Sequence, residues 1–278
     1  KFFHLDGRYD VIGTGSLLGV RGYGKEPKSI PVGYETTIDM NPLDYEEFLW
    51  ANGISEVVID SLRKNIRGVT PVPEALHKKM RQLLLQYTVV GGMPDVVQTF
   101  VDTKRLDEVL NMQRDIVRSY EDDMIKYANQ KDKSHILEFF QSIPKQLSKE
   151  NKKFQYSVVK KGSTASKYAG SLQWIEDAGI VSRCYNLISD IFTKMGRKLY
   201  YFHKNSGLEV EFVIRYKGEC TLVEVKASSG NTKSTKTILA HPEKYHVNSA
   251  IKLGDYNVGR SGEILTLPLY MAFLLTEV

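Results

Sequence analysis

Residues 207–228 read GLEVEFVIRYKGECTLVEVKAS, and the fold turns on how this stretch pairs with itself. Two runs rich in Val, Ile and Phe flank Lys217-Gly218, a pair that fits a two-residue hairpin loop, though more weakly than Asn-Gly would. With that loop, Tyr216 opposes Glu219, Ile214 opposes Thr221 and Phe212 opposes Val223. One step further Glu211 falls opposite Glu224, and Glu209 opposite Lys226. Side chains alternate between faces along a strand. Glu209, Glu211, Glu224 and Lys226 therefore share one face at the open end, while Val210, Phe212, Val223 and Val225 bury on the other. A bulge would slip the pairing by one residue.

Two carboxylates directly opposed, about 5 Å apart at Cβ, repel each other. A fold keeps such a pair at low cost when a cation lies between them, and Mg²⁺ accepts one or two carboxylates while retaining waters. A lysine two residues beyond one ligand can hold a nucleophilic water or offset charge developing on a phosphate. This is a layout for metal-assisted phosphodiester hydrolysis. A second reading of the same residues is an exposed sheet face, with a Glu209–Lys226 ion pair and two solvated glutamates. Spacing alone leaves both open.

The bulk composition narrows the setting. A length of 278 residues suits two or three domains. A net charge of +5 permits a nucleic-acid partner without requiring one. The two cysteines, Cys184 and Cys220, form neither a zinc spacing nor a disulfide framework, so a reducing cytoplasm is expected. No apolar run approaches the ~18 residues of a membrane span, and no signal-peptide pattern opens the chain. A cytoplasmic protein with no membrane partner is the expectation.

Along the rest of the chain, RYDVIGTGSLLGV (8–20) reads as a short buried strand, Tyr9 to Ile12, running into a Gly/Ser/Thr turn. Such a turn is either the ligand-facing end of an α/β sheet strand or a plain tight loop. The phosphate-cradling G-x-x-x-x-G-K-[ST] pattern is absent from the sequence. IDMNPLDYEEFLW (38–50) reads as a strand followed by a helix, with Pro42 near the helix start and Asp44, Glu46 and Glu47 at its positive end. From Pro73 to Phe140 the pattern is helical. Leu76, Met80, Leu83 and Leu84 mark one apolar stripe, GGMP (91–94) interrupts it, and residues 105–128 form a long amphipathic helix.

Residues 143–187 have the outline of a winged helix-turn-helix. Ser163 and Thr164 are suitable N-caps, Tyr168, Leu172 and Ile175 follow at helical spacing, Gly179 suits a helix C-terminus, and Ile180–Tyr185 would be the wing strand. Seven lysines and one glutamate between Lys145 and Lys167 are either phosphate contacts to DNA or a solvated face. No arginine in the expected recognition helix is available for bidentate base reading.

These pieces together resemble a known family. E-x-E-F-V-I followed by V-E-V-K-A looks like motifs two and three of the PD-(D/E)XK nuclease superfamily. More closely, GLEVEFVI with EVK is similar to the C-terminal nuclease-like domain of a family of bacterial and archaeal AAA+-type ATPases, a domain of unknown function. DVIGTGSLLG resembles their sensor-one strand, NPLDYEEFL their P-L-[SD]-[FY]-x-E-F-L element, GGMP a G-G-[MY]-P signature and SKYAGSLQWIEDAGIV their winged-helix recognition segment. The resemblance covers nearly all of the chain in collinear order.

The resemblance implies an α/β multidomain chain. Residues 1–60 would be the C-terminal part of a P-loop ATPase core, 61–142 a helical region, 143–187 a winged helix, and 188–278 a restriction-endonuclease-like α/β domain. Ser16 or Thr14 would be the sensor residue near the ATP γ-phosphate. Glu211 and Glu224 would be the metal-binding acids for Mg²⁺, and Lys226 the motif lysine. DNA would be the partner, through the winged helix and the nuclease-like domain. Some features depart from the family. Its Walker A and B segments would precede residue 1, so ATP binding is expected of the full-length protein and not of this chain. Tyr34 in VGYE (32–35) stands where many relatives have Gly-Arg. NLISDIF (186–192) stands where relatives have a longer segment with an E-N-x-[VI]-A helix start, whose glutamate is the first-motif acid. Glu211 replaces the usual Asp of motif two. The resemblance therefore implies an ATPase-linked nucleic-acid-processing protein with a Mg²⁺-dependent nuclease domain. The alternative is an inactive nuclease-like fold acting as a nucleotide-dependent binding module.

Overall fold

The computed structural model describes residues 40–149, 154–181, 200–203, 209–226 and 232–276, and the single positions 12, 36 and 38. Thr14 and Ser16 lie outside them, as does the strand expected at Tyr9–Ile12 apart from Ile12, which is exposed and not in a strand, against the expected burial. The architecture is mixed α/β: a helical region and a mixed sheet. The described residues fall into two compact units, one drawn from Lys1–Met40 and Leu110–Arg183 and the other from Asn41–Val109 and Cys184–Val278.

The second unit opens with four helices: α1 (Tyr45–Ala51), α2 (Glu56–Gly68), α3 (Glu74–Val90) and α4 (Pro94–Thr103). Asp44 caps α1 in a reciprocal box: Glu47 N–H donates to Asp44 Oδ1 and Asp44 N–H donates to Glu47 Oε2, both at 2.9 Å. Among the described residues the strand expected before this helix is not seen: positions 38 and 40–44 carry no ladder, and Ile38 and Met40 are exposed. The break at GGMP has a definite cause. Gly91 ends α3 at φ +73 and ψ −164, a region open almost solely to glycine. Gly92 lets the backbone of Leu43 approach, and Leu43 N–H donates to Gly92 O at 2.8 Å. Tyr87 OH donates to Leu43 O at 3.0 Å, and Tyr45 OH to Met80 O at 3.0 Å. Two sequence elements about fifty residues apart thus form one backbone junction.

The buried stripe of α3 is His77, Met80, Leu83 and Val90. It lies one position away from the Leu76 and Leu84 of the sequence pattern, which are half-buried. The shift follows from a polar partner: His77 Nδ1 lies 2.9 Å from Tyr270 OH. Tyr270 belongs to an apolar 3-10 segment, Leu269–Thr276, which also sets Phe273 edge-on to Tyr45 at 5.6 Å.

The sheet has strands β1 (Tyr200–His203), β2 (Glu209–Tyr216), β3 (Glu219–Lys226), β4 (Ser249–Gly254), β5 (Gly259–Ser261) and β6 (Ile264–Pro268), in spatial order β1-β2-β3-β4-β6-β5. β1, β2 and β3 are antiparallel. β3 and β4, and β4 and β6, are parallel, and β5 returns antiparallel to β6. Lys217 and Gly218 both have positive φ, 52 and 80, which is how a two-residue loop matches strand twist. The register is the one expected, Tyr216–Glu219 through Phe212–Val223. Two short helices, α9 (Lys233–Leu239) and α10 (Pro242–Tyr245), lie in the β3–β4 crossover.

One expectation about the faces fails. Val210 packs with Leu222, Ala250, Ile264 and Ile238 of α9, on the face of Glu224 and not opposite it. Pairing with β1 explains this. Tyr200 partners Val213 while Phe202 partners Val210, so β2 carries one extra residue between those two pairs. That bulge resets the alternation beside Glu211.

The other unit holds most of α5 (Leu106–Tyr127), with α6 (Lys133–Leu147), α7 (Tyr156–Val159) and α8 (Ala165–Asp177). Met124, Ile136, Phe139, Tyr168, Trp174 and Ile175 form its core. The helix expected to start at Ser163 or Thr164 has Thr164 at its N-cap, and Gly179 has φ +69 beyond its end. Ile180 and Val181 are not in a strand, and the remainder of the expected wing is outside the described residues. No described helix is long and apolar enough to cross a membrane.

A Cβ at Gly92 would collide with the Leu43 carbonyl oxygen and stand 3.0 Å from Leu43 C and N. Gly92→Ala should therefore destabilise the protein by about 2 kcal/mol or more. Gly170→Ala, at an exposed position within α8 where an added Cβ meets nothing, should stabilise it by about 0.5–1 kcal/mol. Urea unfolding of the two variants beside the wild type checks both signs.

Candidate functional site

The parallel strands β3, β4 and β6 end together, and the last two rows on one face are Glu224–Lys252–Thr266 and Lys226–Gly254–Pro268. Laterally paired residues of adjacent strands project to the same face, about 4.8 Å apart. The carboxyl ends of parallel strands are where open α/β sheets bind ligands. Three of the candidate residues meet here. Lys226 Nζ lies 2.9 Å from Glu211 Oε1 and 3.2 Å from Glu224 Oε1. The position between the two carboxylates is thus held by an ammonium group of the chain itself.

Glu224 is 4% exposed, so it is not the solvated glutamate of the alternative sequence reading. Burial of a carboxylate is tolerated when its oxygens are hydrogen-bonded. Lys226 satisfies Oε1, and Thr235 of α9, itself buried, donates its hydroxyl to Oε2 at 2.9 Å. Glu211 is half-buried. Its Oε1 accepts from Lys226, while its Oε2 is shielded from solvent and has no hydrogen-bond partner among the described residues. The Glu209 side chain lies outside the described residues. Burial pushes the Lys226 ammonium down, and the hydrogen bonds and charges of Glu211 and Glu224 more than offset it, so its pKa lies above the usual 10.5.

Among the described residues no group of three or more His, Cys, Asp and Glu side chains gathers in metal-binding geometry. The donor set at this face is two carboxylates, one of them with an unpartnered oxygen. Carboxylate oxygens are the ligand type that Mg²⁺ takes, but the one left without a partner among the described residues is Glu211 Oε2, since Lys226 and Thr235 engage both oxygens of Glu224. Ser16 and Thr14, the candidate nucleotide contacts, lie outside the described residues.

Sequence reasoning missed Thr235 and Lys252. Lys252 left a signal, a charged residue inside the apolar strand SAIKLG, of the same kind that drew attention to Glu224. Thr235 left none, since its role depends on where the crossover docks α9.

The lysine-rich stretch of the other unit is partly committed. Lys160 pairs with Glu138 at 2.8 Å, and Glu138 also accepts from Tyr168 OH at 2.6 Å. Lys149 donates to Gln146 at 2.8 Å. Lys145 and Lys161 are exposed, and Lys152 and Lys153 are outside the described residues.

Residues 81–203 match the model of a domain of unknown function, DUF8612, and residues 185–270 that of a second domain of unknown function, DUF4143. The second match spans all six described strands and α9 and α10. Neither a curated protein nor a solved structure shows significant similarity to the chain.

Two outcomes are expected at this site. Thr235→Val leaves a buried carboxylate oxygen without its donor and should cost about 2 kcal/mol in urea unfolding. Lys226→Met should cost about 2 kcal/mol at pH 7, less than a fully buried pair, because Lys226 and Glu211 keep some solvent contact. Its pH dependence has a defined sign. A raised lysine pKa contributes stability that is complete below the unfolded value and is lost as pH rises through the folded value. The gap between wild type and Lys226→Met should therefore hold from pH 7 upward and close above pH 10.5.

Proposed function

We propose that this chain is the C-terminal part of an AAA+-type ATP-binding protein linked to nucleic-acid processing, and that its sheet carries a PD-(D/E)XK nuclease-like site. The observation that supports this most is the convergence of Glu211, Glu224 and Lys226 at the carboxyl ends of parallel strands. The strand order agrees, with an antiparallel hairpin followed by a crossover into parallel strands. The DUF4143 match agrees too, since that family is often associated with C-terminal regions of AAA-type ATPases. In this reading residues 143–187 are a winged helix that contacts DNA, the setting is cytoplasmic, and ATP binds the full-length protein near Ser16 or Thr14.

Glu211 and Glu224 would hold Mg²⁺, which supplies Lewis-acid polarisation of a phosphodiester and an activated water. The chain's own residues do the positioning. Thr235 fixes the Glu224 carboxylate by Oε2, and Lys226 stands 3.2 Å from its Oε1. Lys226 keeps its proton at neutral pH and stands beside both carboxylates, where its ammonium can donate to a phosphate oxygen or orient a water.

A second reading has its own support. The Glu211–Lys226–Glu224 arrangement neutralises part of its charge internally, as expected of an inactive nuclease-like fold retained as a nucleotide-dependent binding module. Calorimetric titration with Mn²⁺ and Mg²⁺ separates the two. Binding by the wild type that is lost in Glu224→Ala and weakened at least tenfold in Glu211→Gln is the expected outcome, and it calls for a nuclease assay. Absence of binding by the wild type would sink the nuclease reading and leave the binding module.

A further inference from the structure

On the face that carries Glu224, the neighbouring strand presents Lys252. The two are partners in the parallel ladder, yet their charges are not paired with each other. Glu224 is already engaged through both oxygens, by Lys226 and by Thr235. Among the described residues no carboxylate lies within ion-pairing distance of Lys252. Its Nζ rests over the Tyr256 ring instead, 4.2 Å from the centroid. The ring is held in place by an absence: a Cβ on Gly254 would stand 2.6 Å from Tyr256 Cε2 and collide with Lys226 O. Gly254 therefore lets Tyr256 lie against the end of β4, directly after Lys252 and beside Lys226.

The two lysines of this face are thus in different electrostatic states. Lys226, the residue that sequence motifs point to, has its charge committed to two glutamates. Lys252 is a half-buried ammonium with an aromatic face as its partner, a contact that stabilises the cation without neutralising it. An uncompensated cation at the carboxyl end of parallel strands attracts an anion. The crossover between β3 and β4 adds to the field, since residues 232–248 hold Lys233, Lys236 and Lys244 against the single acid Glu243.

We propose that Lys252, braced by Tyr256, is a phosphate-binding subsite next to the Glu211–Glu224–Lys226 cluster, and that it holds a backbone phosphate of a nucleic-acid strand. The subsite rests on the reading of this face as a phosphodiester site and assigns the substrate-holding charge to Lys252, leaving Lys226 with the carboxylates. No bond changes at Lys252; it is a binding residue.

The test uses the full chain and a short fluorescein-labelled single-stranded DNA, read by anisotropy across a salt series without divalent metal. ATP and inorganic phosphate serve as competitors. Lys252→Gln is expected to weaken binding roughly tenfold and to reduce the salt slope by about 0.7, the share of one phosphate contact on a single strand. Lys252→Arg should restore both, which a merely structural lysine would not require. If Lys252 governs competition by ATP or inorganic phosphate but not DNA binding, the subsite stands and its source is a free phosphate. Equal affinity and slope in wild type and Lys252→Gln, with competitors also unaffected, overturns the proposal, as does failure of the wild type to bind any of the three. Mn²⁺ calorimetry on the same proteins keeps the two readings apart. Metal binding with no Lys252 effect removes the subsite alone, and a Lys252 effect without metal binding removes the nuclease reading alone.

Discussion

The sheet is organised around a buried carboxylate. Glu224 sits in the third strand with almost no solvent contact, and an unpaired charge there would cost several kcal/mol. Its two oxygens must therefore be met, and both partners are supplied from fixed positions. Lys226 is two residues further along the same strand, on the same face. Thr235 comes from α9, so the helix of the crossover docks where its hydroxyl reaches Glu224 Oε2. One ionised group thereby ties a strand, the neighbouring Glu211 of β2 and the covering helix.

That constraint also explains the division of labour on the face. Away from the site the rows are apolar: Val213, Leu222, Ala250 and Ile264, covered by Ile238 of α9 and by Val247. At the carboxyl ends the rows turn polar and one position loses its side chain at Gly254. The apolar rows contribute burial, and the last rows hold the charged cluster. Adding polar side chains at strand ends interrupts little packing, which is why a sheet can carry a site there without giving up its core.

The helical part of the same unit follows a similar rule of backbone satisfaction. The capping box of α1, the Leu43–Gly92 hydrogen bond and the Tyr87 hydroxyl together occupy the polar groups exposed where chain segments meet. Tyrosines do much of this work, because each brings a large apolar ring and one hydroxyl that finds a carbonyl or a ring nitrogen. Tyr45, Tyr87 and Tyr270 each do so within this unit.

Several features were legible in the sequence alone. The hairpin, its two-residue turn and its register follow from local alternation and from the turn residues, and these depend on nearest neighbours along the chain. The long helix of 106–127, the break at GGMP and the helix after Thr164 follow from 3.6-residue periodicity and from Gly and Pro. The meeting of Glu211, Glu224 and Lys226 could be read because all three belong to one hairpin. Tertiary structure decided the rest. The bulge against β1 moved Val210 to the other face, an effect of a partner strand that alternation within β2 does not encode. His77 replaced Leu76 on the buried stripe of α3 because Tyr270, nearly two hundred residues away, offers it a hydrogen bond. Thr235 and Lys252 joined the site through the docking of α9 and the parallel pairing of β4, contacts whose register is set by packing between elements and leaves no period in the sequence.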